Sequence, residues 1–248
     1  MKILKEIFKK TSIYKVYHKY ILRRGVKKRA KVQLKRMWVD NTLHKGFAQI
    51  GPHCQVGTNS TLIPQNIYME DWSRIQSGCN MISWKGKLIV KKFAAIASNC
   101  TIIPGAHIPT VGLPQFLSIS HINDNDGQIV VNEDAWVGAG AFLLSHCEIG
   151  RGAIVAAGTI VTKPIPPYAV VAGCPSKIIA VRFSIDQIVE HEKILYPKEE
   201  RMSREELENL FSEYYVGKKT IGTSNMSDED KEILSQFKIK YSIVDCSK

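Results

Sequence analysis

Seven histidines and six cysteines are the side chains of this 248-residue sequence best suited to proton transfer, nucleophilic attack or metal binding. A histidine with its ordinary pKa near ~6.5 is mostly neutral at working pH, so it can take a proton from a hydroxyl group. His107 and His121 fall close together in the chain, and His146 follows in a Ser145-His146 pair that reads as a surface corner. His44 and His53 stand earlier and read as structural or solvated. The cysteines, at 54, 79, 100, 147, 174 and 246, form no C-x-x-C pair and no zinc-finger spacing. A disulfide scaffold and a structural zinc site are therefore poor readings, and a reduced, cytosolic protein is expected.

The elements that position these residues show themselves as a repeat. From Val131 an aliphatic side chain recurs at every sixth residue: Val131, Val137, Leu143, Ile149, Val155 and Val161. Four positions after each stands a small residue: Ala135, Ala141, Cys147, Ala153 and Thr159. Earlier stretches repeat the pattern, with Ile50, Val56 and Leu62, then Ile75 and Met81, then Val90, Ile96 and Ile102. Cys54, Cys79, Cys100 and Ala106 occupy the small position there. A period of six is neither helical nor a simple strand alternation. It suits an all-β solenoid whose coils have three flat sides of about six residues, the aliphatic pointing inward and the small residue filling the corner. Residues 43–182 would then stack as roughly six to seven coils of parallel strands about 4.8 Å apart, with a loop protruding over 108–128 where the hexads stop. Four cysteines become compact interior hydrophobes on this reading, and a catalytic thiol among them is disfavoured because an apolar interior raises thiol pKa.

Charge divides the chain. Residues 1–36 hold 14 Lys+Arg and one acid, whereas the rest holds 20 basic and 22 acidic residues, so the overall +11 is a tag on a slightly acidic body. Residues 1–42 read as a basic amphipathic helical segment. It could lie on an anionic membrane face, pack on the body or a neighbouring subunit, or bind nucleic acid. The body shows no basic stripe for nucleic acid. No apolar run is long enough to span a bilayer, and no signal-peptide h-region follows the basic start. From 183 to 248 the hexads are gone. Ser203-x-x-Glu206 and Ser227-x-x-Asp230 read as capping boxes, so two or three C-terminal helices are expected, lying against the prism or a neighbour.

Three segments carry a resemblance: Asp134-Ala135-Trp136-Val137-Gly138; Ala157-Gly158-Thr159-Ile160-Val161-Thr162-Lys163 before Pro166-Pro167-Tyr168; and Ala172-Gly173-Cys174-Pro175-Ser176-Lys177-Ile178-Ile179. Residues 43–183 resemble the hexapeptide-repeat acyltransferases, in the branch of galactoside, maltose, xenobiotic and polysaccharide O-acetyltransferases. The resemblance implies a left-handed parallel β-helix, a homotrimer with active sites between subunits, and acetyl coenzyme A as co-substrate. It implies a histidine general base that ends a coil just before a loop, which points first to His107, with His121 as rival. It places Trp136, Gly138, Ala139, Ala157, Gly158, Thr162, Lys163 and Lys177 along the coenzyme, with Arg182 a weaker match. No metal is expected to be required.

Acyl transfer from a thioester to a hydroxyl needs a base, a donor for the developing oxyanion and both substrates held in line. The expected activity is acetylation of a sugar hydroxyl of a bacterial surface polysaccharide or its precursor, in the cytoplasm or at the inner membrane face. Acetylation of an antibiotic is the nearest alternative. A zinc hydratase like the gamma carbonic anhydrases needs three converging histidines, and His107, His121 and His146 do not repeat that spacing. A non-catalytic structural coil is the remaining alternative.

Overall fold

The computed structural model describes residues 46–240, with side chains as far as Lys238. The basic segment 1–42, His44 and Cys246 lie outside the described residues. Among the described residues, no helix is long and apolar enough to cross a membrane.

The hexads build a three-faced prism. The first face holds Gln49–Ile50, Ile67–Met69, Lys87–Val90, Gln128–Val131 and Glu148–Ile149. The second holds Gln55–Val56, Arg74–Ile75, Ala95–Ile96, Trp136–Val137, Ile154–Val155, Ala169–Ala172 and Lys177–Val181. The third holds Asn80–Met81, Thr101–Ile102, Phe142–Leu143 and Ile160–Val161. Pairing within each face is parallel, except that the last two strands of the second face form an antiparallel hairpin.

Register explains the aliphatic period. On the second face Ile75, Ile96, Val137, Val155 and Val171 sit on one another in successive coils. Met81, Ile102, Leu143 and Val161 do the same on the third. All of these are buried, and each contributes about 1.5–3 kcal/mol by leaving water. Cys54, Cys79, Cys100 and Cys147 are buried at the corner position, and burial pushes the Cys147 thiol up to about 12. That pKa suits packing and leaves little thiolate for attack.

Three expectations change. Among the described residues, five strands on the first face and six parallel strands on the second make five coils and part of a sixth, because the chain turns back after Ala172 instead of winding on. Residues 105–126 are not a plain loop: Gly105–His107 pairs antiparallel with Asp124–Asp126 to make an arm. Ala106 is accordingly exposed and no longer follows the hexad rule, since the chain has already left the prism.

Three helices follow the prism: α1 (Ile185–Leu195), α2 (Arg204–Tyr214) and α3 (Asp228–Lys240). Ser203 and Glu206 cap α2 reciprocally, and the Asp230 amide donates to Ser227 Oγ at the start of α3. A third box, Ser184 with Gln187, caps α1. Ile188 of α1 and Leu207 of α2 are fully buried, whereas Ile233 and Leu234 of α3 are exposed. A buried carboxylate ties α1 to the coil body. Glu192 accepts from Tyr168 Oη at 2.8 Å and from the Met202 amide at 2.6 Å, with Arg151 at 3.4 Å. Glu192→Ala would leave all three donors without this acceptor, so a loss of about 3 kcal/mol is expected. A urea midpoint unchanged by this substitution would contradict the assignment.

Candidate active site

The arm springs from the edge between the third and first faces, after Thr101–Ile102 and before Gln128. Its register puts Asp124 directly opposite His107. His107 Nδ1 lies 2.6 Å from Asp124 Oδ1, and His121 Nδ1 lies 2.7 Å from Asp124 Oδ2. A carboxylate can only accept, so both imidazoles donate through Nδ1–H, and a neutral ring held this way has its lone pair on Nε2. His121 reaches this position because it terminates the short 3-10 turn Gln115–Ser120 in a left-handed conformation, φ +54°. Trp84, from the coil below, stacks on the His121 ring at 4.7 Å. The two N–H donors, His107 first, hold the Asp124 carboxyl below its ordinary range.

Exposure separates the roles within the cluster. The Asp124 side chain is 11% exposed, while those of His107 and His121 are 44% and 35% exposed. The acid is therefore sheltered behind two rings that face solvent. His146 stands at the same edge of the prism, in a left-handed corner, φ +63°. Its ring covers Gly127 at the root of the arm: a Cβ on Gly127 would lie 2.7 Å from both His146 Cε1 and the Pro104 carbonyl oxygen. His146 thus reads as a support of the arm's base.

The remaining sequence candidates fall elsewhere. Gly138 and Ala139 lie at the edge between the second and third faces, with Ala157 and Gly158 directly above, where the Gly158 amide donates to the Ala139 carbonyl. A Cβ on Gly138 would stand 2.6 Å from the Ala157 nitrogen, so close coil stacking by itself demands glycine there. The hairpin carrying Lys177 touches this edge, since the Ile160 amide donates to Gly173 and the Ser176 amide to Ile160. Trp136 is 54% exposed on the second face. Thr162 and Lys163 follow the third-face strand Ile160–Val161, on the arm's side of the prism. One chain therefore presents two groups, at opposite edges of the third face. Arg182 belongs to neither: its Nη1 donates to Asp134 Oδ2 at 2.6 Å and to two backbone carbonyls, and His191 Nε2 meets the same Asp134 oxygen at 2.9 Å. Arg182 thus ties the end of the hairpin to the prism, and His191 ties α1 to the same Asp134 carboxylate.

Two further features bear on the choice of site. A cleft of about 470 Å³ lies between the first face and residues 199–206, but its charged walls are taken up internally, as in Lys91–Glu133 at 3.2 Å and Arg151–Glu133 at 3.4 Å. The arm's tip, residues 108–123, holds no Lys, Arg, Asp or Glu, and Val111, Phe116 and Ile119 stand exposed on it.

Residues 128–163 match the family model described as bacterial transferase hexapeptide (six repeats). This stretch is made of hexapeptide repeats. The matched hexapeptide coils run from the strand after the arm to Lys163. Over 115 residues the sequence is 30% identical to a chloramphenicol acetyltransferase of Klebsiella aerogenes, covering 41% of this chain and 55% of that protein. Over 51 residues it is 49% identical to the 2,3,4,5-tetrahydropyridine-2,6-dicarboxylate N-acetyltransferase of Staphylococcus aureus, covering 21% of each. The chain thus spans about half the length of the first relative and less of the second. Its fold is that of a maltose O-acetyltransferase from Clostridium difficile 630, with a TM-score of 0.50 at 22% identity, over 64% of this chain and 88% of that one.

Proposed function

We propose that this hexapeptide-repeat protein is an acetyl coenzyme A-dependent O-acetyltransferase acting on a sugar hydroxyl, built on a left-handed β-helix. The observation that carries the reading is the Asp124 carboxylate holding His107 and His121 by Nδ1. That arrangement fixes the tautomer with Nε2 free, which is what a general base for a hydroxyl requires. His107 Nε2 takes the hydroxyl proton as the oxygen attacks the thioester carbonyl. The tetrahedral oxyanion collapses, the C–S bond breaks, and the leaving thiolate takes the proton back from Nε2. His121 holds the second carboxylate oxygen and borders the acceptor. Trp136, Gly138, Ala139, Ala157, Gly158, Thr162, Lys163 and Lys177 line the coenzyme, with Lys177 as a point charge toward its phosphates.

The test is release of coenzyme A thiol from acetyl coenzyme A in the presence of a panel of glycosides. No release with any hydroxyl acceptor would overturn the proposal. The relatives named chloramphenicol acetyltransferase favour a second reading, acetylation of an antibiotic hydroxyl. Faster turnover of chloramphenicol than of every glycoside would install it.

The same geometry supports a homotrimer. His107, Thr162 and Lys163 lie on one side of the third face and Gly138, Ala139, Ala157 and Gly158 on the other, and an uncharged apolar arm tip suits burial against the latter edge of a neighbouring copy. Phe116→Asp should shift the protein from trimer to monomer in light scattering; an unchanged mass would remove the arm from the interface. The basic segment, residues 1–36, is proposed as a peripheral contact with an anionic membrane at the cytoplasmic face, at about 1 kcal/mol per basic residue near the surface. Deleting it should abolish co-sedimentation with phosphatidylserine vesicles, and retention by the truncated protein would refute the contact.

A further inference from the structure

The geometry points to a second use of the arm: we propose that His107, His121 and Asp124 form a binding site for a divalent transition metal, zinc above all, and that its occupation silences the base. One ligand atom from each residue lies within 4.8 Å of the other two. Two imidazoles and a carboxylate suit zinc, nickel or copper rather than magnesium or calcium, which prefer all-oxygen shells. The site also has a sheltered acid and two exposed rings, leaving a fourth position open to water.

Distances say what must move. Zinc holds nitrogen and oxygen at about 2.0–2.1 Å, so neighbouring tetrahedral ligands stand roughly 3.3 Å apart. The Nδ1–carboxylate separations of 2.6 and 2.7 Å therefore need to open by about 0.6 Å. Only side chains need turn for this. The arm strands stay paired, and the stack of Trp84 on His121 keeps one ring near its present plane.

The consequence follows from the two ring nitrogens. With Asp124 as partner, Nδ1 carries the proton and Nε2 the lone pair. With a metal on Nδ1, the lone pair is used there, the Nδ1 proton leaves to solvent, and Nε2 takes one up. The ring stays neutral and no net proton is lost, but Nε2 becomes a donor and can no longer accept the hydroxyl proton. Metal binding and base function are mutually exclusive at His107. The binding half of the proposal stands on geometry alone; the silencing half rests on His107 being the base.

Calorimetric titration of the full chain with zinc chloride, without acyl donor, tests the binding half. One site per chain is expected, weakened more than tenfold by His121→Ala and by Asp124→Asn. His53→Ala should leave it unchanged: His53 meets Asp71 at 2.8 Å with one imidazole only, and so controls for lone surface histidines. Nitrogen-15 spectra should show His107 Nε2 gaining its proton as zinc is added. Full affinity in either arm variant, equal weakening by His53→Ala, or an unchanged His107 tautomer would overturn the proposal. Zinc bound at the arm of a chain without transferase activity would keep the site and remove the base reading. Active transferase indifferent to zinc would do the reverse.

Discussion

Replacing His107 with alanine is expected to lower turnover by about 10²- to 10⁴-fold, the range a positioned general base supplies, while coenzyme A binding stays within about twofold. The split follows from where the residues sit. His107 stands on the arm, whereas Gly138, Ala139, Ala157, Gly158 and Lys177 stand at the far edge of the third face. The substitution also leaves the coil register untouched, because His107 is exposed on the arm and its side chain meets Asp124 and the His121 ring, not the coils. The measurement is single-turnover acetyl transfer together with equilibrium titration of coenzyme A. His121→Ala should cost less turnover than His107→Ala, since it removes a neighbour and leaves Asp124 Oδ1 still holding the His107 ring. The opposite ranking would give the base to His121, and wild-type turnover in both variants would place the chemistry away from the arm.

The prism was legible because burial alone dictates it. Val137, Leu143, Ile149 and Val155 recur at six because each successive one points inward on the next face of the prism, and Cys100 and Cys147 lie buried at its corners. The arm was not legible. Gly105-Ala106-His107 and Asp124-Asn125-Asp126 lack the alternation that marks a half-buried strand, and their pairing spans a tip without charges. Asp124 went unassigned for the same reason. Its spacing from His121 is a local signal, but its register with His107 exists only once the arm folds back. Arg182 is a different case: a basic residue near a matched motif invites a phosphate role, and only the fold reveals its contact with Asp134. The Ser184–Gln187 box was open to the same capping rule that picked out Ser203 and Ser227.

Asp124→Asn should reduce turnover by about 10²- to 10³-fold without unfolding the arm. The carboxylate now offers one oxygen to each imidazole. An amide keeps one oxygen and turns a donor toward the other ring, which must answer with its Nδ1 lone pair and move its proton to Nε2. Whenever the amide nitrogen faces His107, the base is in the wrong tautomer; whenever it faces His121, that ring changes tautomer and His107 is held by a neutral amide oxygen in place of a carboxylate. Acid should break the carboxylate clamp itself only far below working pH. Asp124 is held under its ordinary range by its two N–H donors, so the clamp is fully present above the ordinary carboxylate value of about 3.9 and is lost only as pH falls through the lowered one. Asp124→Asn, by contrast, should be impaired across the whole pH range. A structural role would behave differently: it would lower the melting temperature and leave the His107 tautomer alone. Nitrogen-15 spectra of His107 in the variant distinguish the two, and a wild-type tautomer with normal turnover would show that the carboxylate positions nothing that the reaction needs.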